Sequence, residues 1–281
     1  MKKNNKAKAA GSLAALGSAA LLMLIACDAR LTTREYNIAD KRLDGPIRLA
    51  MISDLHSCRY GKDQSELIKA LEKAKPDILL LGGDIFDDEV PHKNAASFIK
   101  GISGKFPCYY VPGNHEYRAD DTEKIFGFLK KFGIRILAGE YETVDIRGQK
   151  INICGVTDPE ITEHTDSSFG TAAQLKALNS TADNGYYTVL LAHRPELFEK
   201  YCGHGFDLVL TGHAHGGQWR IPVLLNGLFA PNQGLFPKYA GGKYRSGSTV
   251  MIVSRGLARE STPIPRVFNR PELVIVNLDK K

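Results

Sequence analysis

Short apolar runs alternate along this chain with stretches whose apolar residues recur every three or four positions. Leu49–Ile52, Ile78–Leu81 and Cys108–Val111 are runs of the first kind, and each stops at a polar residue, Gly or Pro. Such runs fit strands covered on both faces. Between them, Leu67, Ile68 and Leu71 share one helical face, as do Ile125, Phe126, Leu129 and Phe132. Asp63-Gln64-Ser65-Glu66 and Asp120-Asp121-Thr122-Glu123 have the capping-box form. Pro76 stops the first helix, Gly133 suits the position after the second, and a further helix is expected around Asn94–Ile99.

Strands dominate later, at about 135–137, 142–146, 151–156, 186–192, 207–210, 249–254 and 272–278. Thr171 and Pro195 open helices between them. Segment 216–248 is rich in Gly and Pro and holds the single tryptophan, Trp219. Alternation followed by a strand-rich half predicts the α/β class, as a two-sheet sandwich in a single domain.

The first 26 residues stand apart. Lys2, Lys3, Lys6 and Lys8 precede an apolar run from Leu13 to Ala26, and the segment contains no acid. This reads as a signal or anchor over residues 1–27, outside the fold. Leu24-Ile25-Ala26-Cys27 has the form of a lipobox, where bacterial lipoproteins are cleaved and acylated. The competing reading is a transmembrane helix of about 18 residues. Both predict membrane association through the N-terminus, with the extracytoplasmic face of a bacterial cytoplasmic membrane as the expected location. Residues 28–46 are polar and read as a tether ending in a short entry strand, with the folded domain expected over 47–281.

Composition narrows the partners. With 281 residues and 43% apolar content, the chain suffices for one large core or two small domains. The formal charge of +6 owes most of its excess to the four N-terminal lysines. No basic stripe with interleaved aromatics stands out, so nucleic acid is not an expected partner. The five cysteines include no CxxC pair, which argues against a disulfide framework or structural zinc. Cys108 and Cys154 fall in apolar runs and read as core residues.

What the strands deliver at their ends is chemical. Asp54 and His56 follow the first run, Asp84 follows Gly82-Gly83, and Asn114-His115-Glu116 follows Pro112-Gly113. His193 ends the run at 186–192, and Thr211-Gly212-His213-Ala214-His215 ends the next. Five of the eight histidines lie at these ends, while His92, His164 and His204 lie in apparent loops. Asp54 and His56, two apart on extended backbone, are expected to face one ion. Imidazole, carboxylate and amide oxygen suit manganese, iron or zinc rather than a thiolate site or a calcium cage. Seven such groups exceed the need of one ion, and two ions about 3.5–4 Å apart fit if one carboxylate bridges them.

Asp54-x-His56, Gly82-Gly83-Asp84, Gly113-Asn114-His115-Glu116, His193 and Gly212-His213-x-His215 resemble, in this order, the motifs of the calcineurin-like metallophosphoesterases. The resemblance runs from about residue 47 to 278 and implies an αββα sandwich. It implies that Asp54, His56, Asp84 and His215 hold one divalent metal, and that Asp84, Asn114, His193 and His213 hold the second. Manganese is the expected ion, with iron and zinc as alternatives. It gives His115 the catalytic role of stabilising the transition state or protonating the leaving oxygen, the alternative being a partner that orients Asn114. The implied reaction is hydrolysis of a phosphodiester or pyrophosphate by hydroxide bridging the metals.

Ala192-His193-Arg194-Pro195-Glu196 and Gly212–Gln218 look like the membrane-linked YkuE/YaeI branch. Some of that wider group hydrolyse the pyrophosphate of UDP-2,3-diacylglucosamine, and others carry only a generic phosphodiesterase assignment. Arg59 and Arg194 adjoin ligand positions and are candidate phosphate contacts, though an exposed structural arginine explains either as well. Trp219, Leu224, Phe229 and Phe236, mixed with basic residues, suit a lipid-linked phosphate, against the plainer reading that they pack the loop down. A nuclease of the same fold and a metal-bound protein that has lost catalysis and binds a partner are the alternative functions. The second usually lacks a ligand or the Gly-Asn-His histidine, and both are intact here.

Overall fold

In the computed structural model, residues 17–18, 20–161, 170–260 and 264–281 are described, without the side chain of residue 182. The basic start of the expected anchor and His164 lie outside the described residues. Residues 20–26 are helical, with Leu21–Ile25 exposed. Among the described residues no helix is long and apolar enough to cross a membrane.

The first sheet contains β1 (Thr32–Asp40), β2 (Ile47–Ile52), β3 (Ile78–Leu81), β4 (Cys108–Tyr110), β5 (Arg135–Ile136) and β14 (Glu272–Lys280), in the order β1-β14-β2-β3-β4-β5. The second contains β6 (Glu140–Ile146), β7 (Gln149–Gly155), β8 (Tyr187–Leu191), β9 (Leu208–Thr211), β12 (Gly242–Ser246) and β13 (Thr249–Val253), in the order β12-β13-β9-β8-β7-β6. A two-residue pair, β10 (Phe229–Ala230) and β11 (Gly234–Leu235), stands apart. β2, β3, β4 and β5 run parallel, as do β7, β8, β9 and β13.

Each buried run splits its side chains by parity. Leu49, Met51, Ile78 and Leu80 meet Ile153, Val189, Leu191 and Leu210 between the sheets. Ala50, Ile52, Leu79 and Leu81 face outward, under helices α1 (Ser65–Ala74), α2 (Lys93–Ile102) and α4 (Thr122–Lys131). α3 (Asn114–Arg118) is the short helix that opens after β4. On the far side, Leu190, Val209 and Met251 pack under α5 (Thr171–Ala177) and α6 (Phe198–Tyr201). This is the two-sheet α/β sandwich expected from the alternation of strand and helix, with helices on both outer faces.

Three expectations are corrected. Residues 28–46 are not a tether, because β1 pairs in parallel with all nine residues of β14, from Thr32↔Glu272 to Asp40↔Lys280. Its alternation of exposed and half-buried positions is that of an edge strand, which reads as polar in sequence. The two capping boxes do not form, and neither helix has a side-chain cap bond. In the first, Asp63 and Gln64 take left-handed φ values of 51° and 62°. The buried Gln64 accepts Tyr60 N–H and donates to the Cys58 and Asn94 carbonyls, serving the loop instead of the helix. Finally, Asp54 and His56 are not on extended backbone, since β2 ends at Ile52 and both have positive φ.

Candidate metal centre

Parallel strands of both sheets point their carboxyl ends at one place, where open α/β sheets put their ligands. β2 leads to Asp54 and His56, β3 to Asp84, β4 to Asn114 and His115, β8 to His193, and β9 to His213 and His215. Asp54, His56, Asp84, His213 and His215 have φ between 46° and 64°. Left-handed backbone at five non-glycine residues is strain that the surroundings impose. The loops enforce it through backbone bonds: Asp54 N–H donates to Gly83 O at 3.0 Å and His56 N–H to Asp84 O at 2.9 Å.

Asp84 is the common member of two donor groups. Asp54, His56, Asp84 and His215 place one donor atom each within 4.8 Å of the others, and so do Asp84, His193 and His213. His56 Nε2 lies 3.6 Å and His193 Nε2 3.0 Å from Asp84 Oδ2. His215 Nε2 is 3.5 Å from Asp54 Oδ1 and 3.2 Å from His56 Nε2. Asn114, which opens α3 next to His115, is buried, and its Oδ1 accepts no hydrogen bond.

The ring nitrogens facing away are fixed. His56 Nδ1–H donates to Asp87 Oδ2 at 2.7 Å, and His193 Nδ1–H to Gly82 O at 2.8 Å. Each ring thereby turns its Nε2 toward the centre, where a metal would take the place of a proton. Burial opposes charge on Asp84, yet the adjacent His193 ring holds its carboxyl well below the usual range. Burial also opposes charge on His193, and Asp84 with Asp54 pushes its pKa up to about 10. His213 goes down, through burial and the charges of His193 and Arg194. Asp54 Oδ2 is buried and accepts nothing, like Asn114 Oδ1. Orphaned acceptors beside converging imidazoles are what a divalent cation satisfies, so the residues fit the metals expected of them.

Close approach of backbone explains two glycines. A Cβ on Gly83, whose φ is 87°, would sit 2.6 Å from His193 Nδ1 and 2.7 Å from Gly113 N. A Cβ on Gly113 would lie inside the Asp84 carboxylate. The glycines make room for the ligand side chains themselves.

His115 lies over the cluster, edge-on to His56 with ring centroids 4.4 Å apart. Its side chain keeps 26% exposure, against 1% for Asp84 and 11% for His215, so it is more open to solvent than the ligands. Its Nδ1 pairs with Asp88, and its backbone N–H donates to Asp84 Oδ1 at 3.0 Å. The bond that would orient Asn114 is not among these.

The two arginines part company. Arg59 is at the surface, its Nε on the Gly61 carbonyl. Arg194 is buried, a correction to its reading as a phosphate contact. Nε and Nη2 bind the two oxygens of Asp158, Nη2 also binds Glu160, and Nη1 binds Asn232. Asp87, Asp88, Glu116, Asp158 and Asn232 complete the surroundings and were not legible as partners. Asp87, Asp88 and Glu116 at least stand within four residues of a ligand in sequence. A cavity of about 710 Å³ bounded by Tyr117, Phe126 and Ile136 is not lined by any of the candidate ligands.

Comparison with known proteins agrees with this geometry. Residues 47–217 match the calcineurin-like phosphoesterase family. The uncharacterised metallophosphoesterase YkuE of Bacillus subtilis (strain 168) is 27% identical over 258 residues, covering 88% of this chain and 85% of YkuE. Phosphodiesterase YaeI of Escherichia coli (strain K12) is 28% identical over 240 residues, covering 83% of this chain and 82% of YaeI. The fold superimposes on NAD nucleotidase from Haemophilus influenzae with a TM-score of 0.53 and 16% identity, covering 76% of this chain and only 46% of that one. Motif order, sandwich and shared aspartate converge with these matches: the chain belongs to the calcineurin-like phosphoesterase family and is a metallophosphoesterase.

Proposed function

We propose that the chain hydrolyses a phosphodiester or pyrophosphate bond using two divalent ions, one held by Asp54, His56, Asp84 and His215, the other by Asp84, Asn114, His193 and His213. The observation that carries this is the single carboxylate, Asp84, common to both donor groups. When bound, such ions neutralise charge at phosphorus and supply an activated water. This mixture of imidazole, carboxylate and amide suits manganese, iron or zinc, and manganese is the ion proposed. The chain's own residues do the rest. The buried carboxylates and rings fix the ions in place. His115, oriented by Asp88 and open to solvent, donates a proton from its outer nitrogen to the leaving oxygen. Arg59 stays the candidate for a substrate phosphate.

A lipid-linked substrate, of the nucleotide-sugar-lipid kind such as UDP-2,3-diacylglucosamine, is the finer reading. Its support is a surface. Trp219, Leu224, Leu235 and Phe236 are 45–82% exposed, on the segment that also reaches His213 through Asn232. Trp219 Nε1–H donates to Pro265 O, and Phe268 N–H donates to Ala26 O. The exposed apolar helix at 20–26 thus leaves the domain from the strip that backs Trp219. An apolar rim and an apolar N-terminal segment on adjoining strips suit a bilayer surface. Location on the extracytoplasmic face of a bacterial membrane, through acylated Cys27 or a spanning helix, is part of this proposal.

The test is a panel of an aryl phosphodiester, a nucleotide-linked glycolipid and single-stranded DNA, with the protein loaded in turn with manganese, iron and zinc. Hydrolysis of either of the first two is expected. Cleavage of DNA alone would favour a nuclease, and no cleavage at all would favour a partner-binding protein. Fatty-acid labelling of wild type and Cys27→Ser reads the anchor.

A further inference from the structure

Asn232 lies in the turn between β10 and β11, with a left-handed φ of 58°. It is exposed, yet its Oδ1 lies 2.8 Å from His213 Nε2 and also accepts a hydrogen bond from Arg194 Nη1. Arg194 Nη1 is itself 3.1 Å from His213 Nε2. Three polar atoms therefore meet: a carbonyl oxygen, a guanidinium nitrogen and a ring nitrogen.

Of the two contacts at Nε2, the shorter one, to Asn232, decides where the ring proton sits. A guanidinium donates and never accepts, so the Asn232 amide must turn its oxygen toward Arg194. The opposite flip would set its NH₂ against a cation. Arg194 cannot swing away, because Asp158 holds two of its nitrogens and Glu160 a third contact. The same oxygen faces His213 Nε2, and an acceptor there requires Nε2 to carry the ring proton. Nδ1 then keeps its lone pair, 3.2 Å from His193 Nε2 on the side of Asp84. Take the oxygen away, and Arg194 is the neighbour left at Nε2. It can only donate, so the ring proton moves to Nδ1 and the lone pair leaves the centre.

We propose that Asn232 is a positioning residue that, oriented by Arg194, holds His213 in its Nε2–H form and so makes Nδ1 the atom that binds the second metal. Segment 216–248 is thereby coupled to the half of the centre made by Asp84, His193 and His213. The consequence for metal rests on the function proposed above, but the position of the ring proton does not.

Long-range ¹H–¹⁵N spectra of the metal-free protein at neutral pH read the tautomer, with His213 assigned from the signals lost in His213→Gln. Wild type and Asn232→Asp, which keeps an acceptor oxygen, are expected as Nε2–H. Asn232→Gly, which removes the oxygen and tolerates the left-handed backbone, is expected mainly as Nδ1–H. In manganese titrations Asn232→Gly should bind the second equivalent about 10–100-fold more weakly, with the first unchanged and Asn232→Asp near wild type. Nε2–H in Asn232→Gly, or Nδ1–H in wild type, would overturn the proposal. A wild type in the Nε2–H form that binds no manganese, iron or zinc would instead overturn the metal reading of the site and leave the hold of Asn232 on the ring standing.

Discussion

Glu116 lies beneath Asp84 and holds it by the backbone: its Oε2 accepts Asp84 N–H at 2.9 Å. The same oxygen accepts Gly113 N–H at 2.8 Å, and Oε1 accepts Ile85 and Phe86 N–H at 2.7 and 3.0 Å. One fully buried carboxylate thus ties the loop after β3 to the loop after β4. Burial and the charge of Asp84 push its pKa up, and the donated N–H groups oppose them. This explains how Asp84 is kept at a φ of 52°.

Glu116→Gln is therefore expected to be costly although nearly isosteric. An amide NH₂ cannot accept, so two buried N–H groups lose their partner, at about 2–4 kcal/mol in all. Denaturant unfolding should show that loss. Metal content should fall with it, since Asp84 loses its support.

Asp84→Asn and His115→Ala separate binding from turnover. Asp84→Asn removes the charge shared by both donor groups, and both metals and nearly all activity should be lost. His115→Ala should keep both metals while kcat falls by about 10²–10⁴. Elemental analysis beside steady-state kinetics checks the pair. Full metal occupancy and wild-type rate in Asp84→Asn would refute the bridging role.

Removing β1 tests the corrected domain boundary. A chain starting at Pro46 leaves the edge of β14 unpaired along its whole length, an invitation to aggregate. It should be insoluble or melt lower than a chain starting at Asp28, as scattering and thermal melts would show. Equal melting of the two would restore the tether reading.

Asp77 joins the sheets at the end away from the metals. It accepts Arg48 N–H at 2.7 Å and pairs with Arg147 from the β6–β7 turn. Burial raises its pKa, but Arg147 and the Arg48 N–H outweigh that and leave it lowered. A depressed folded pKa contributes stability above the unfolded value of about 3.9, lost as pH falls through the folded value. Asp77→Asn should thus melt slightly below wild type at neutral pH, the pair being largely exposed. The difference should shrink below about pH 4, and a constant difference down to pH 2 would exclude the ion pair as its source.

What the sequence determined by itself was the set of strands, their order of motifs and the metal-type residues at their ends. Those signals are local: a buried parallel strand is an apolar run, and its terminus names its ligand two to four residues later. The pairing of β1 with β14 was invisible, because an edge strand half in water looks like a polar linker and its partner lies some 240 residues away. So were Gln64, drawn from a cap into a loop, and Arg194, drawn from a phosphate into a buried ion pair. The shared place of Asp84 and the contact of Asn232 with His213 depend on side chains brought together from distant strands. Only tertiary packing decides those, because a hydrogen bond or a metal is specified by distance in space and not by separation along the chain.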